Sequence, residues 1–373
     1  MLLTKKISIN AYFRYFDITN ALITFIICGI GLLFVFSATY KIDCPYSLFF
    51  KKQLFGICTG FLLYGIFSII DYRTTLRYCY FSFYILVFLL AFTLIKGSIG
   101  MGAQRWLDLG LFKLQPSELA KICVPAYTVY TLQNAHLGLP LPGTAFIPIL
   151  SMLGMGFILI RKQPDLGTAL LILFSGLIIC WLIGIPRFFL WFFFLSTLCL
   201  IPVLHKVLKP YQKKRIEVFF GYGSSNKERY QIEQAFIAIG SGGLWGKGLL
   251  EGTQNKLQFL PEGRTDFIFA VLCEEIGLIG ALLLLFLYLI LFYRSFIIIT
   301  HLKEQYLQLL AAGLLIPIVL AMFINIGMVL GLLPVVGIPL PLMSYGISNM
   351  WVTLIALGWL QNIAMQRLHR SDI

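Results

Sequence analysis

The sequence predicts an all-α polytopic membrane protein with about ten transmembrane helices and one long loop between two of them. Of its 373 residues, 59% are hydrophobic and 12% are charged, and the mean hydropathy is +0.87. A soluble domain has about a quarter of its residues charged. Because this chain has about half that share, most of its outer surface is expected to face lipid.

The individual spans are predicted from apolar runs close to the length of about 20 residues that crosses a bilayer. They are expected at 18–39, 53–70, 78–96, 117–133, 145–161, 166–184, 187–205, 266–293, 305–333 and 345–366. The first run is too long for the apolar region of a signal peptide, which has about 7–15 residues, so it is predicted to be an uncleaved span. The long loop covers about 206–264, and residues 1–373 are predicted to form a single transmembrane domain.

The distribution of basic residues does not decide the orientation of the spans. With a cytoplasmic N-terminus, ten Lys and Arg residues fall in inner segments and nine in short outer segments, which is a near tie under the positive-inside rule. The long loop then adds ten more basic residues outside. Such an outer face would attract an anionic substrate, and binding of anionic lipid headgroups is the alternative.

Asp266 is the most informative candidate for chemistry. It stands at the end of the long loop, where the apolar run of the next span begins. Thr265 or Asp266 could cap the following helix by accepting its free N–H groups. A carboxylate at a helix start could also coordinate a cation or accept a proton from a sugar hydroxyl. Both interpretations stay open on the sequence alone.

Two acids, Glu274 and Glu275, follow inside the same span. Acids in a membrane are costly unless they are paired, protonated or line a wet cavity. They are therefore expected either to bond to a neighbouring helix or to line a polar cavity that leads to Asp266. Asn325, in the middle of a later span, is a candidate partner.

The segment from 102 to 121 holds basic residues beside an aromatic one. Arg105 and Trp106 are typical of an interfacial loop. Glu118 and Lys121 are three residues apart on one helix face and could pair with each other. The functional alternative is that Arg105 and Lys121 bind a diphosphate headgroup.

A glycine-rich segment, 238–248, does not have the spacing of a P-loop, which excludes that mode of nucleotide binding. Its glycines are expected to let a re-entrant outer loop lie against the membrane surface and offer backbone N–H groups to an anion. The four histidines have no zinc-site spacing, and most of the eight cysteines lie in apolar runs as small apolar residues.

Several stretches together resemble the SEDS family (shape, elongation, division and sporulation), and within it the RodA branch. They are 102–108, 115–118, 163–168, 237–243, 252–270 and 325–346, in the family's order. The branch is indicated by Gly337-Ile338-Pro339-Leu340-Pro341-Leu342. The chain departs from the family pattern at Ile347, where a second glycine is common.

The resemblance implies ten transmembrane helices, with both termini cytoplasmic and the 206–264 loop extracytoplasmic. It implies a peptidoglycan glycosyltransferase of the cytoplasmic membrane, active in cell elongation and shape, that polymerises lipid II outside the membrane and releases undecaprenyl diphosphate. Asp266 takes the place of the family's catalytic aspartate. The expected substrate-binding residues are Arg105, Trp106, Glu118, Lys121, Asp165, Arg264 and Glu275.

The same resemblance implies a class B penicillin-binding protein, a transpeptidase, as partner within the cell-elongation complex, and no nucleic acid. The resemblance points to no definite cofactor, and a divalent cation, Mg²⁺ or Mn²⁺ bound at Asp266, is a variant of the mechanism. Two rival functions stay open: a flippase that carries lipid II across the membrane, and a non-catalytic scaffold for the transpeptidase.

Overall fold

The structure is a computed structural model that describes residues 16–371 except 101–102, 111, 135–141, 187, 189–190, 192–194, 196–209, 223–225 and 258. Within these residues the chain is almost entirely helical. The helices are α1 Ile18–Thr39, α2 Leu48–Ile69, α3 Tyr72–Lys96, α4 Pro116–Asn134, α5 Ile147–Lys162, α6 Leu166–Ile183, α7 Pro210–Phe219, α8 Asn226–Gly242, α9 Thr253–Lys256, α10 Ile268–Thr300, α11 Gln305–Val329 and α12 Ile347–Ser371. A 3₁₀ turn, Gly143–Phe146, leads into α5.

Seven of the described helical segments are long and apolar enough to cross a membrane: α1, α2, α3, Gly143–Lys162, α6, α10 and α11. The predicted all-α polytopic membrane fold is therefore confirmed. The predicted spans 117–133 and 345–366 are also helices, α4 and α12. Both helices are less apolar than the other seven, because they contain buried polar side chains such as Glu118, Lys121 and Asn362. The predicted span 187–205 lies largely outside the described residues.

The helices carry apolar side chains both on the faces that pack against other helices and on the faces that are exposed. On α3, Phe81, Ile85 and Phe88 are exposed, while Phe83 and Leu90 are buried. In a bilayer, exposed apolar side chains meet lipid rather than water, so such a face needs no further protein cover. The central helix α12 packs along α2, where a Cβ at Gly358 would collide with the backbone of Tyr64.

A small antiparallel sheet, absent from the sequence prediction, stands between α3 and α4. Its strands β1 Ser98–Gly100, β2 Ala103–Asp108 and β3 Lys113–Leu114 pair in that order. In the register of β2 with β3, Leu107 lies opposite Leu114. The sheet holds the segment that contains Arg105 in a fixed place beside the helix bundle.

The predicted loop 206–264 is not a simple loop, because it contains α7, α8 and α9. Helix α8 packs against α10. Beyond α8, the glycine-rich chain fits into a break in α10 at Gly277, where φ is +75° and ψ is −165°. There the N–H groups of Lys247 and Gly248 donate to the carbonyls of Glu274 and Glu275, each at 3.0 Å.

The prediction that the glycine-rich segment offers these N–H groups to an anion is therefore wrong. The break in α10 frees carbonyl groups that would otherwise accept bonds within the helix. A buried carbonyl needs a donor, and the N–H groups of the segment supply it. The glycines allow this close approach of two backbones.

Replacement of Gly277 by alanine should destabilise the protein, because the added Cβ would collide with the backbone of Gly246 and Leu244 at a positive φ. We expect a loss of at least about 1–3 kcal/mol in the free energy of unfolding. Gly154→Ala is the matched control, since nothing lies within 4 Å of a Cβ there. Unfolding of both variants can be followed in detergent by tryptophan fluorescence. Equal stability of the two variants would contradict this account of the break.

Candidate active site

The backbone around Asp266 is tied to two other parts of the chain. The side-chain amide of Asn325, on α11, donates to the carbonyls of Asp266 at 2.9 Å and Ile338 at 2.8 Å. The hydroxyl of Ser344 donates to the carbonyl of Thr265 at 2.6 Å. The backbone position of Asp266 is therefore fixed by hydrogen bonds from two separate parts of the chain. The prediction that Asn325 is a partner of Glu274 or Glu275 is wrong.

Of the two interpretations left open for Thr265 and Asp266, the capping of α10 does not apply. The N-cap position is Phe267, which makes no side-chain cap bond. The hydroxyl of Thr265 instead donates to a carboxylate oxygen of Glu262 at 3.0 Å. The carboxylate of Asp266 is thus not engaged as a helix cap and is available for other contacts.

The surroundings of Asp266 give its carboxylate an unusual affinity for protons. Its side chain keeps some surface exposure, yet protein atoms surround it densely enough for burial to raise its pKa to about 6. The charges of Glu262 and Asp165 also raise this pKa, while Arg105 and Arg215 lower it. Because burial is the largest of these effects, Asp266 is a stronger base than an ordinary aspartate and is still mostly ionised at neutral pH.

Arg105 is held by Asp165 and by Trp106. A guanidinium nitrogen of Arg105 lies 3.1 Å from a carboxylate oxygen of Asp165, and the same oxygen accepts from the amide of Gln115 at 2.9 Å. The guanidinium also stacks 4.4 Å above the ring of Trp106. Asp165 caps α6 through its bond to the N–H of Thr168, as the predicted helix start requires. The carboxylate of Asp165 therefore both caps the start of α6 and holds the side chain of Arg105 in place.

The other predicted site residues lie in separate contacts. Lys121 and Glu118 form a buried ion pair at 2.6 Å, and Lys121 also donates to the side-chain oxygen of Asn349 at 3.2 Å. The predicted pairing on one helix face is confirmed. Arg264 stacks 4.1 Å above the ring of Phe49.

Glu275 is almost fully buried and accepts a hydrogen bond from Ser37 on α1. Glu275, Glu118, Lys121 and Arg264 are thus held by partners other than Asp266. Their assignment to substrate binding stays a prediction.

Arg215 was missed by the sequence analysis. It lies on α7, donates to the carbonyl of Val335 at 3.0 Å, and has a nitrogen 4.0 Å from the point where a Cβ of Gly337 would stand. A carboxylate oxygen of Asp266 lies 3.5 Å from that same point. The sequence offered only the spacing of Gln212 and Arg215, which places both on one face of a helix. That Gln212 is buried, and that this face therefore meets the protein, is visible only in the structure.

The sequence matches a known protein family over nearly its whole length. Residues 18–369 match the FtsW, RodA and SpoVE family, which is described as "Cell cycle protein". This match covers nearly the whole chain.

The chain belongs to this family.

Relatives agree with that placement. The peptidoglycan glycosyltransferase MrdB of Escherichia coli (strain K12) is 38% identical over 319 residues, which cover 85% of this chain and 86% of the relative. The stage V sporulation protein E of Bacillus subtilis (strain 168) is 34% identical over 358 residues, covering 93% and 96%. This member of the family is therefore RodA-like, as the sequence stretches indicated, and is a multi-pass protein of the cytoplasmic membrane.

Solved structures of the family share the fold. A structure described as "Structural coordination of polymerization and crosslinking by a peptidoglycan synthase complex" superposes with a TM-score of 0.78 at 26% identity, covering 94% of this chain and 98% of that chain. The rod shape determining protein RodA of Thermus thermophilus gives a TM-score of 0.69, also at 26% identity, covering 94% and 97%.

Removal of one partner from the buried pair of Glu118 and Lys121 should be costly. Lys121→Met leaves the Glu118 charge buried without its cation, so we expect the free energy of unfolding to fall by about 3–5 kcal/mol. The double variant Glu118→Gln/Lys121→Met should recover most of that loss. Denaturant titration in detergent measures both values.

Arg229→Met serves as the control for this comparison, because Arg229 pairs with Glu233 on an exposed face of α8. Its effect should stay below about 1 kcal/mol. A double variant as unstable as Lys121→Met would show that the buried pair is not the source of the loss.

Proposed function

We propose that this chain is a peptidoglycan glycosyltransferase that polymerises lipid II on the outer face of the cytoplasmic membrane. The observation that carries the proposal is a carboxylate of raised pKa, Asp266, at a helix start beside two arginines. The curated relatives named as peptidoglycan glycosyltransferases support the reaction class. We propose further that both termini lie in the cytoplasm, an orientation that puts Asp266 outside.

The proposed step is a displacement at a sugar carbon. Asp266 accepts the proton of the 4-hydroxyl of the acceptor N-acetylglucosamine. The oxygen freed of its proton attacks the anomeric carbon of the growing strand, and the bond from that carbon to undecaprenyl diphosphate breaks. A general base works best when its pKa lies near the operating pH. Burial of Asp266 moves its pKa towards that range.

Arg105 and Arg215 are proposed to stabilise the leaving diphosphate. Negative charge concentrates on that group as the sugar–oxygen bond breaks, and fixed cations nearby lower the barrier. Arg105 is pre-oriented by Asp165 at 3.1 Å, so little reorganisation is needed. Lys121, which the sequence analysis placed in this role, is already paired with Glu118 at 2.6 Å. Arg215 is assigned the role in its place, because its charge, like that of Arg105, acts on Asp266.

A divalent cation at Asp266 is a variant of this mechanism. Among the described residues, three or more His, Cys, Asp or Glu side chains nowhere come together in a way that could hold a metal ion. The two arginines whose charges act on Asp266 also disfavour a cation beside it. The base role therefore has the better physical support. Chelation followed by Mg²⁺ or Mn²⁺ addition distinguishes the two.

The proposed partner is a transpeptidase of the class B penicillin-binding protein type, in a cell-elongation assembly. The support is the similarity of the whole fold to a chain of a peptidoglycan synthase complex in which polymerisation and crosslinking are coordinated. Reconstitution of the activity should therefore include such a partner.

Asp266→Asn should abolish most polymerisation without loss of stability. We expect a fall in rate of about 10²–10⁴-fold, the typical contribution of a general base. The unfolding temperature should be unchanged or higher, because burial disfavours the charged form of Asp266. Gel analysis of glycan strands made from purified lipid II measures the rate. Asp43→Asn, at an exposed outer position, is the matched control.

Near-normal strands from Asp266→Asn would refute the assignment of the base. A wild-type protein that moves lipid II across liposome membranes but makes no strands would favour the flippase instead. If another subunit of the complex makes all of the glycan strands, and this chain makes none, the scaffold function is favoured.

A further inference from the structure

Glu262, four residues before Asp266, has a backbone conformation that residues other than glycine seldom adopt. Its φ is +58°. With a Cβ present, this left-handed conformation brings a clash with the following carbonyl oxygen. Glycine avoids the clash, and the same loop uses it at Gly246 and Gly248, where φ is +78° and +106°. A strained glutamate beside the proposed active site therefore indicates a role for its side chain.

Hydrogen bonds close a tight turn from Glu262 to the start of α10. The carbonyl of Glu262 accepts from the N–H of Thr265 at 3.0 Å and from the N–H of Phe267 at 3.3 Å. Asp266 lies between these two donors in the chain, so the turn brings Glu262 and Asp266 close together. A backbone carbonyl accepts these bonds whatever the side chain is. The carboxylate of Glu262 is therefore not needed to build the turn.

That carboxylate is nevertheless held in place. The hydroxyl of Thr265 donates to one of its oxygens at 3.0 Å, which keeps the side chain folded back onto the turn. Within the described part of the chain, Glu262 forms no ion pair. An unneutralised negative charge therefore remains in the same turn as Asp266.

We propose that Glu262 is a positioning residue of the active site, whose negative charge favours the transfer of a proton to Asp266. Two carboxylates held close together resist being ionised at the same time. Glu262 thus acts through Asp266 and does not itself accept the proton. The inference rests on the proposed function, because it requires Asp266 to act as the base.

The charges that face Asp266 from other elements explain why such a residue is needed. Arg105 on β2 and Arg215 on α7 lower the pKa of Asp266, while Glu262 and Asp165 raise it. Asp165 is paired with Arg105 at 3.1 Å, so its charge is partly neutralised. Glu262 is then the carboxylate that offsets the two arginines. Without its charge, Asp266 would be a weaker base.

The experiment follows lipid II polymerisation against pH for the full chain with its transpeptidase partner. Glu262→Gln keeps the size of the side chain and an oxygen for the hydroxyl of Thr265, but removes the charge. The acid limb should move to lower pH by about half a unit, the order of magnitude for charges in partly exposed surroundings. Glu251→Gln removes a charge at an exposed position of the same loop and should leave the limb in place.

A second variant keeps the test decisive if Glu262→Gln does not fold. Glu262→Gly removes the charge and the strain together. It should unfold at the wild-type temperature or above, because relief of the clash offsets the greater freedom of glycine in the unfolded chain. Its acid limb should move to lower pH as well. A purely structural role of Glu262 predicts no movement of the limb in either variant.

The outcomes separate this inference from the proposed function. A wild-type acid limb near pH 6 that neither Glu262 variant moves, or that both move to higher pH, would overturn the inference alone. A wild-type rate with no acid limb, or an active Asp266→Asn variant, would overturn the proposed function and the inference with it.

Discussion

The free-energy cost of holding a charged carboxylate among protein atoms is the constraint on which the proposed site depends. Burial pushes the pKa of Asp266 up to about 6, and Arg105 and Arg215 pull it down. Burial alone would raise the pKa further, and the two arginines alone would lower it below the usual aspartate value. Their balance leaves a carboxylate that is ionised at neutral pH and still attracts a proton. The surrounding tethers, such as Asn325 on the Asp266 carbonyl, keep that balance fixed.

Much of the fold could be predicted because the bilayer imposes a length on every span. The apolar runs at 18–39 and 166–184 coincide with α1 and α6 almost to the residue. Helix α10 was expected to end at 293 but continues to Thr300, since its apolar run has no breaker where the span is long enough. The small sheet could not be predicted, because its strands are short and owe their pairing to neighbours in space.

The residues of the candidate site were named from the sequence, but most of their contacts were not. Asp266, Arg105 and Asp165 were named from the sequence, and the structure brings their charges together. Asn325 was assigned to the wrong partner, because a sequence shows that a buried amide needs acceptors but not which carbonyls lie nearby. Arg215 was missed for the same reason, since it approaches Asp266 only through the folding of α7 onto the loop that contains Val335.

The dependence of lipid II polymerisation on pH tests the central claim most directly. Asp266 must be ionised to accept a proton, so the rate should fall as the pH falls through about 6. Arg215 lowers that pKa, so Arg215→Gln should move the acid limb to higher pH as well as reduce the rate. A rate that stays constant from about pH 5 to pH 7.5, or an acid limb that Arg215→Gln leaves in place, would contradict the proposed role of Asp266.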